Sequence, residues 1–212
     1  MRELDEFFAS DVGRTLYHYT GIGALLGIVE NRRVWASHAY YLNDSREILH
    51  ARDVLQTLVL KRIEQRSDVE EEFLKQLHVW LKSFEVNPYH VYIFSLSEER
   101  SLLSQWRSYT PHGKGVSLGF AAATLSSMLR ESTFRIAKCR YADHEHRELL
   151  DVLLDKLLIT FHQQRDGIDV TRNHPSQKYF GFLEEYRNDF LQVLSVIKHS
   201  SFKEEAEWRV IS

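Results

Sequence analysis

Hydrophobic positions along the chain switch period repeatedly, from two in short runs to three or four in longer ones, and this sets out strands and helices in turn. Residues 1–13 read as a short helical lead-in ending at Gly13. From Leu16 to Thr20 the pattern alternates, with Leu16, His18 and Thr20 on one face of a strand and Tyr17 and Tyr19 on the other. Thr20 is a good N-cap for a short helix over 21–29. A second strand-like run, Arg33 to Tyr41, frays at Leu42 and Asn43. Asp44-Ser45-Arg46-Glu47 has the form of a capping box and opens a helix through Ile63; a second helix runs from Ser67 to Phe84 and stops at Asn87-Pro88.

The clearest strand is 91–97, with Ser95 and Ser97 on one face of its polar end. Next come a helix over 101–109, a turn at 111–115, a strand over 116–120, a helix over 121–130 and a strand over 134–141. A long helix is predicted for about 145–164, a linker for 165–176, a further long helix for 179–199 and a closing strand for 202–211, where Glu205, Glu207 and Arg209 share one face. Strands in both halves separated by helices predict a single α+β domain over 1–212, with helical insertions near 44–86 and 144–199. The last residues read as the middle of a strand, so the natural chain is expected to continue past Ser212.

Composition narrows the classes. A chain of 212 residues is long enough to bury a full core. Its net charge of −3 gives no overall electrostatic footprint for nucleic acid. One cysteine, Cys139, excludes an internal disulfide and a multi-cysteine zinc site, in keeping with a reducing cytoplasm. The acidic start is unlike a secretory signal, and no apolar run reaches membrane-span length, so a cytoplasmic protein with no membrane partner is expected.

None of the common nucleotide, metalloprotease or hydrolase fingerprints occurs, and no metal is expected. His144 and His146, two apart at a helix start, point in different directions and read as solvated surface. Cys139 reads as a small core residue, Gly113-Lys114-Gly115 as a strand-entry turn, and Asp44 and Glu47 as the capping box. The remaining polar residues at strand ends are His18, Ser95, Ser97, Gln105, Arg107, Tyr109, Glu205, Glu207 and Arg209. Each has an ordinary alternative: a core histidine, turn serines, a core-facing helix, an ion-pair row on a sheet. Their convergence at strand ends suggests a site.

The order of these pieces resembles a bacterial family, domain of unknown function 2971. The resemblance rests on Leu-Tyr-His-Tyr-Thr at 16–20, Tyr-Leu-Asn-Asp at 41–44, Phe-Ser-Leu-Ser at 94–97 with Leu-Ser-Gln-Trp-Arg-Ser-Tyr at 103–109, Gly-Lys-Gly-Val at 113–116 and Glu-Ala-Glu-Trp-Arg at 205–209. More distantly, His18-Tyr19-Thr20 and the following helix look like the opening of ADP-ribosyltransferases, in particular the DNA-targeting toxins and the RNA 2′-phosphotransferases. Glu205-Ala206-Glu207 is similar to the Glu-x-Glu of arginine-modifying members, whose second glutamate is catalytic.

That resemblance implies a split mixed β-sheet of the ADP-ribosyltransferase kind and NAD as substrate. The acceptor, protein or nucleic acid, stays open, and so do a role in bacterial defence or as a toxin and a neutralising partner protein. It implies catalytic roles for Glu207, His18 and Tyr19, and binding roles for Thr20, Tyr41, Asn43, Ser95, Ser97, Gln105, Arg107, Tyr109, Glu205 and Arg209. Glu207 would stabilise the oxocarbenium-like state of the ribose, His18 would bond the ribose or adenine side, and Tyr19 or Tyr41 would stack on nicotinamide. Ser95 would brace Glu207, and Arg209 or Arg107 would meet the diphosphate. The expectation is an NAD-dependent ADP-ribosyltransferase or NAD glycohydrolase. Its rival is a non-catalytic ligand-sensing or protein-interaction domain on the same fold, with a nuclease last.

Overall fold

Six strands make one open sheet in a computed structural model that describes residues 3–8, 12–41, 47–66, 68–85, 90–110, 114–130, 132–168 and 174–212. They are β1 (Leu16–Gly21), β2 (Ser37–His38), β3 (Tyr92–Ser97), β4 (Gly115–Phe120), β5 (Arg135–Lys138) and β6 (Glu207–Ile211). The order is β4-β1-β3-β6-β5, with β2 paired to β3. The α+β class is as expected. Every pair of these strands is antiparallel, however, because the connections deliver neighbouring strands in opposed directions; the mixed sheet is replaced by an antiparallel one.

The helices are α1 (Ile22–Asn31), α2 (Glu47–Ile63), α3 (Asp68–Lys82), α4 (Leu103–Tyr109), α5 (Ala122–Arg130), α6 (Asp143–Gln164), α7 (Phe180–Glu185) and α8 (Arg187–Leu194). The two expected helical insertions pack against each other. Leu55 and Val59 of α2, Phe73, Leu77 and Trp80 of α3, Leu153, Leu157 and Phe161 of α6 and Phe190 of α8 share one buried cluster. Phe73 stacks on Phe161 with ring centroids 4.0 Å apart. One face of the sheet adds Ile93, Ala137 and Ile211 to that cluster. The other face carries Phe94, Leu96 and Ile136 into a smaller cluster with Leu16, Phe120 and Leu125.

Register decides where polar groups fall. Ser95 lies opposite Arg209 and Ser97 opposite Glu207. By strand alternation these four share the face of Ile93 and Ile211, so the face toward the helices is apolar at one end and polar at the other.

The centre of the sheet is open. β1 meets β3 at a single register pair, Tyr17 with Ser97, and β2 meets the far end of β3 at Ile93 and Tyr92. Residues Phe94–Leu96 therefore have no strand partner on that side. The His18 imidazole crosses the gap, its Nδ1 2.9 Å from the Ser95 carbonyl. A side chain takes up a backbone acceptor that a neighbouring strand would otherwise satisfy.

Several local expectations are corrected. The run 33–41 pairs only at Ser37–His38 and then turns through a 3-10 segment at Ala39–Tyr41. The residue before α1 in extended conformation is Gly21, not Thr20, because β1 continues one residue further through its pairing with Gly115. The helix expected over 179–199 breaks at Tyr186, whose amide bonds back to the Leu183 carbonyl, and ends at Leu194. The strand expected over 202–211 begins only at Glu207, because Ser200–Glu205 is a 3-10 turn closed by Ala206 in the left-handed region at φ 42°.

Gly115, opposite Gly21, is a point where only hydrogen fits. A Cβ there would come within 2.5 Å of the Thr110 side chain and 2.6 Å of the Thr20 carbonyl oxygen. Gly115→Ala should destabilise by about 1–3 kcal/mol, the usual range for overpacking, and lower Tm by several degrees in thermal denaturation. Gly23→Ala in α1 is the control: its Cβ meets nothing within 4 Å, so the helix gains and Tm holds or rises.

Candidate functional site

β1 brings two side chains to the opening in different ways. Tyr19 is buried, its ring edge-on to Trp106 at 5.2 Å. Its hydroxyl donates to the Glu99 carbonyl at 2.5 Å and accepts from the Leu102 amide at 2.9 Å. Tyr19 thereby fixes the entry to α4 and with it Gln105 and Tyr109. The expected stacking role on nicotinamide is corrected for Tyr19, since its ring is covered and its hydroxyl engaged.

His18 stands at the gap itself, 4.6 Å from the Phe94 ring. Burial lowers its pKa more than the bond to Ser95 raises it, so the ring is neutral near pH 7. A carbonyl only accepts, so Nδ1 carries the proton and Nε2 presents a lone pair.

The late strand builds the opposite wall. Glu207 and Arg209, two apart on β6, are both buried. Arg209 donates from Nε to Glu207 Oε1 at 2.9 Å and from Nη2 to Oε2 at 3.0 Å. It also reaches Glu47 Oε2 at 2.5 Å and the Ser195 carbonyl at 2.6 Å. The Lys198 ammonium donates to Glu207 at 2.8 Å and Glu205 at 2.6 Å, and lies 3.1 Å from Glu47. Three carboxylates thus share two cations, leaving one negative charge in excess.

Burial alone would push the Glu207 carboxyl up, but Arg209 and Lys198 outweigh it and pull its pKa down to about 2. Glu205 goes the other way: burial raises it above 4.5 despite Lys198. The Cys139 thiol, 3.7 Å from Glu207, is pushed well up by burial, with the Glu207 charge adding to it. It is an inert core thiol.

Sequence reasoning missed Glu47 and Lys198. Glu47 reads as a capping residue, yet it is buried against Arg209 and Lys198. Lys198 reads as a helix C-terminal residue, but the helix has ended. The Arg140 amide bonds the Val196 carbonyl, and the Lys198 amide bonds the Arg140 carbonyl, which turns the ammonium inward. His146, expected in solvent, is buried with Nε2 2.8 Å from the Arg140 carbonyl, while His144 is exposed.

A small cavity of about 30 Å³ lies between these walls, lined by residues that include His18, Tyr19, Ser95, Gln105, Tyr109, Glu205 and Glu207. Gln105 is buried as a residue and its amide has no protein hydrogen-bond partner among the described residues, so the amide is free to bond a water or ligand in this cavity. The space suits one or two waters. His18 also lines a second, larger groove of about 370 Å³ with Thr20, α1 and Phe94.

Other predicted residues fall elsewhere. Ser97 rather than Ser95 is the bracing serine: its hydroxyl donates to the Glu205 carbonyl at 2.7 Å and accepts from the Glu99 amide at 3.0 Å. Arg209 is consumed by the ion cluster and Arg107 is exposed on α4, so neither stands as expected for a diphosphate. Tyr41 is 81% exposed beside His38 and Tyr40. Asn43 lies outside the described residues. No described helix is long and apolar enough to cross a membrane, and no group of three metal-binding side chains occurs among the described residues.

Residues 105–210 match a family described as Protein of unknown function (DUF2971). The chain belongs to that family. Neither a curated protein nor a solved structure matches it. The DUF2971 match contains Gln105, Cys139, Lys198, Glu205, Glu207 and Arg209, while His18 and Glu47 lie before it.

The ion cluster makes two stability predictions for this DUF2971 protein. Arg209→Met strands buried carboxylates and should cost about 3–5 kcal/mol in chemical denaturation. Glu207 has its folded pKa below its ordinary 4.5, so its stabilisation is complete above pH 4.5 and drains away as pH falls toward 2. Acid unfolding followed by circular dichroism should show that loss, and Glu207→Gln should flatten it.

Proposed function

We propose that this protein consumes NAD, breaking the nicotinamide–ribose bond in the manner of an ADP-ribosyltransferase with water as the acceptor. One observation carries the reading. The strands bearing His18, Ser95 and Glu207 are neighbours in the order β1-β3-β6, and the three residues line one water-sized cavity with Glu205 and Gln105. The space of about 30 Å³ accommodates a water as the acceptor.

In this reading the glycosidic C–N bond breaks with its electron pair going to nicotinamide, which leaves neutral. The water oxygen bonds the ribose carbon, and its proton passes to Glu205. A carboxyl whose pKa is raised by burial is the better base, and Glu205 is only partly enclosed. Glu207, clamped between Arg209 and Lys198, holds that machinery in place. The one uncompensated negative charge favours the oxocarbenium-like transition state. His18 Nε2 and the Gln105 amide orient the water. Catalysis thus shifts from the expected Glu207 to Glu205.

A second reading, a ligand-sensing domain without turnover, is favoured by the Glu207 carboxylate, whose two oxygens are already bonded by Arg209 and Lys198.

Incubation of the protein with NAD, following nicotinamide and ADP-ribose, decides between them. Glu205→Gln should lower release at least about a hundredfold, the lower end for loss of a general base, while Tm stays within a few degrees of wild type. Release undiminished in that variant would remove Glu205 from the mechanism. An NAD-induced rise in Tm with no nicotinamide released would establish the sensing reading.

A further inference from the structure

The groove of about 370 Å³ between α1 and the opened sheet has its own chemistry. Helix α1 buries no residue: Gly23, Ala24, Gly27 and Ile28 line the groove, while Ile22, Leu26 and Val29 are exposed. A Cβ at Gly23 or Gly27 would meet nothing within 4 Å, so the helix is uncovered at both positions. Trp35 lines the same groove at 86% exposure, higher than any other large hydrophobic residue among those described. Arg33 lines it too and has no ion-pair or hydrogen-bond partner among the described residues. Thr20, Ser37 and Asn31 add polar edges.

An exposed indole, an uncovered glycine face and a free guanidinium suit a planar ring carrying a phosphate. We infer that this groove binds a mononucleotide moiety, its base lying on Trp35 against the Gly23–Gly27 face of α1 and its phosphate at Arg33. For the source of that moiety the inference rests on the NAD reading. Small-molecule sites span about 300–1,000 Å³, so a groove near the lower limit takes one half of a dinucleotide. His18, which lines both spaces, then stands where that half meets the water-sized cavity.

The test is calorimetric titration of the full chain with AMP and, separately, with nicotinamide mononucleotide, alongside tryptophan fluorescence. Trp80 is fully buried and Trp106 and Trp208 are half-buried, so the part of the quenching that disappears in Trp35→Ala is the part that reports on Trp35. At least one nucleotide should bind and quench, and which one does so identifies the half that occupies the groove. Trp35→Ala should weaken it roughly tenfold or more, the usual effect of losing a stacking ring. Gly27→Leu should cover the glycine face and abolish binding with an unchanged thermal transition. Arg33→Gln should weaken the nucleotide but not its nucleoside. Binding of neither nucleotide, or equal affinity in Gly27→Leu, overturns the assignment. Wild-type NAD turnover in Gly27→Leu also overturns it, while leaving the hydrolytic reading intact. Nucleotide binding lost in Gly27→Leu, in a protein that releases no nicotinamide, sustains the groove and removes that reading instead.

Discussion

Four buried charges and a partly enclosed fifth on one side of the sheet constrain everything around them. Glu207 and Arg209 come from β6, Lys198 and Glu205 from the segment before it, and Glu47 from the first turn of α2. Losing either cation or the buried Glu207 strands a charge in a low dielectric, at a cost greater than its pairing contributed, whereas Glu205 at the edge is the carboxylate in excess. The chain must therefore bring α2 against the end of β6, and the large helical cluster makes that approach possible.

The site is then a by-product of a sheet that does not close. β1 grips β3 at one position and leaves it, and the freed Ser95 carbonyl is answered by the His18 imidazole. That bond selects one tautomer and leaves an acceptor nitrogen between two spaces, a water-sized cavity and a groove about twelve times larger. The pairing of a depressed Glu207 with a raised Glu205 separates two similar carboxylates into a fixed charge and a titratable one.

What the sequence made legible was whatever repeats with a local period. Alternation over 16–20 and 91–97 located the two central strands, and the two-residue spacing of Glu207 and Arg209 put them on one face. What it hid depended on distance along the chain. Glu47 has a complete local explanation as a capping residue, and its true partner Arg209 lies 162 positions away. Lys198 was concealed by an apolar helical pattern that runs past the real helix end at Leu194, where hydrogen bonds to Arg140 take over. Trp35 sits in a run that reads as a strand, and only the brevity of β2 reveals that its ring is uncovered.

The sheet order also bears on where the domain begins. The family match over 105–210 carries β4, β5 and nearly all of β6, which are not all neighbours: β1 and β3 lie between β4 and β6. Cut free, that segment would keep both flanks of the sheet and lose its middle, and its buried cations would be short of Glu47. The matched stretch holds the flanks of the sheet, and the two strands that join them, β1 from Leu16 and β3 from Tyr92, precede it in the chain.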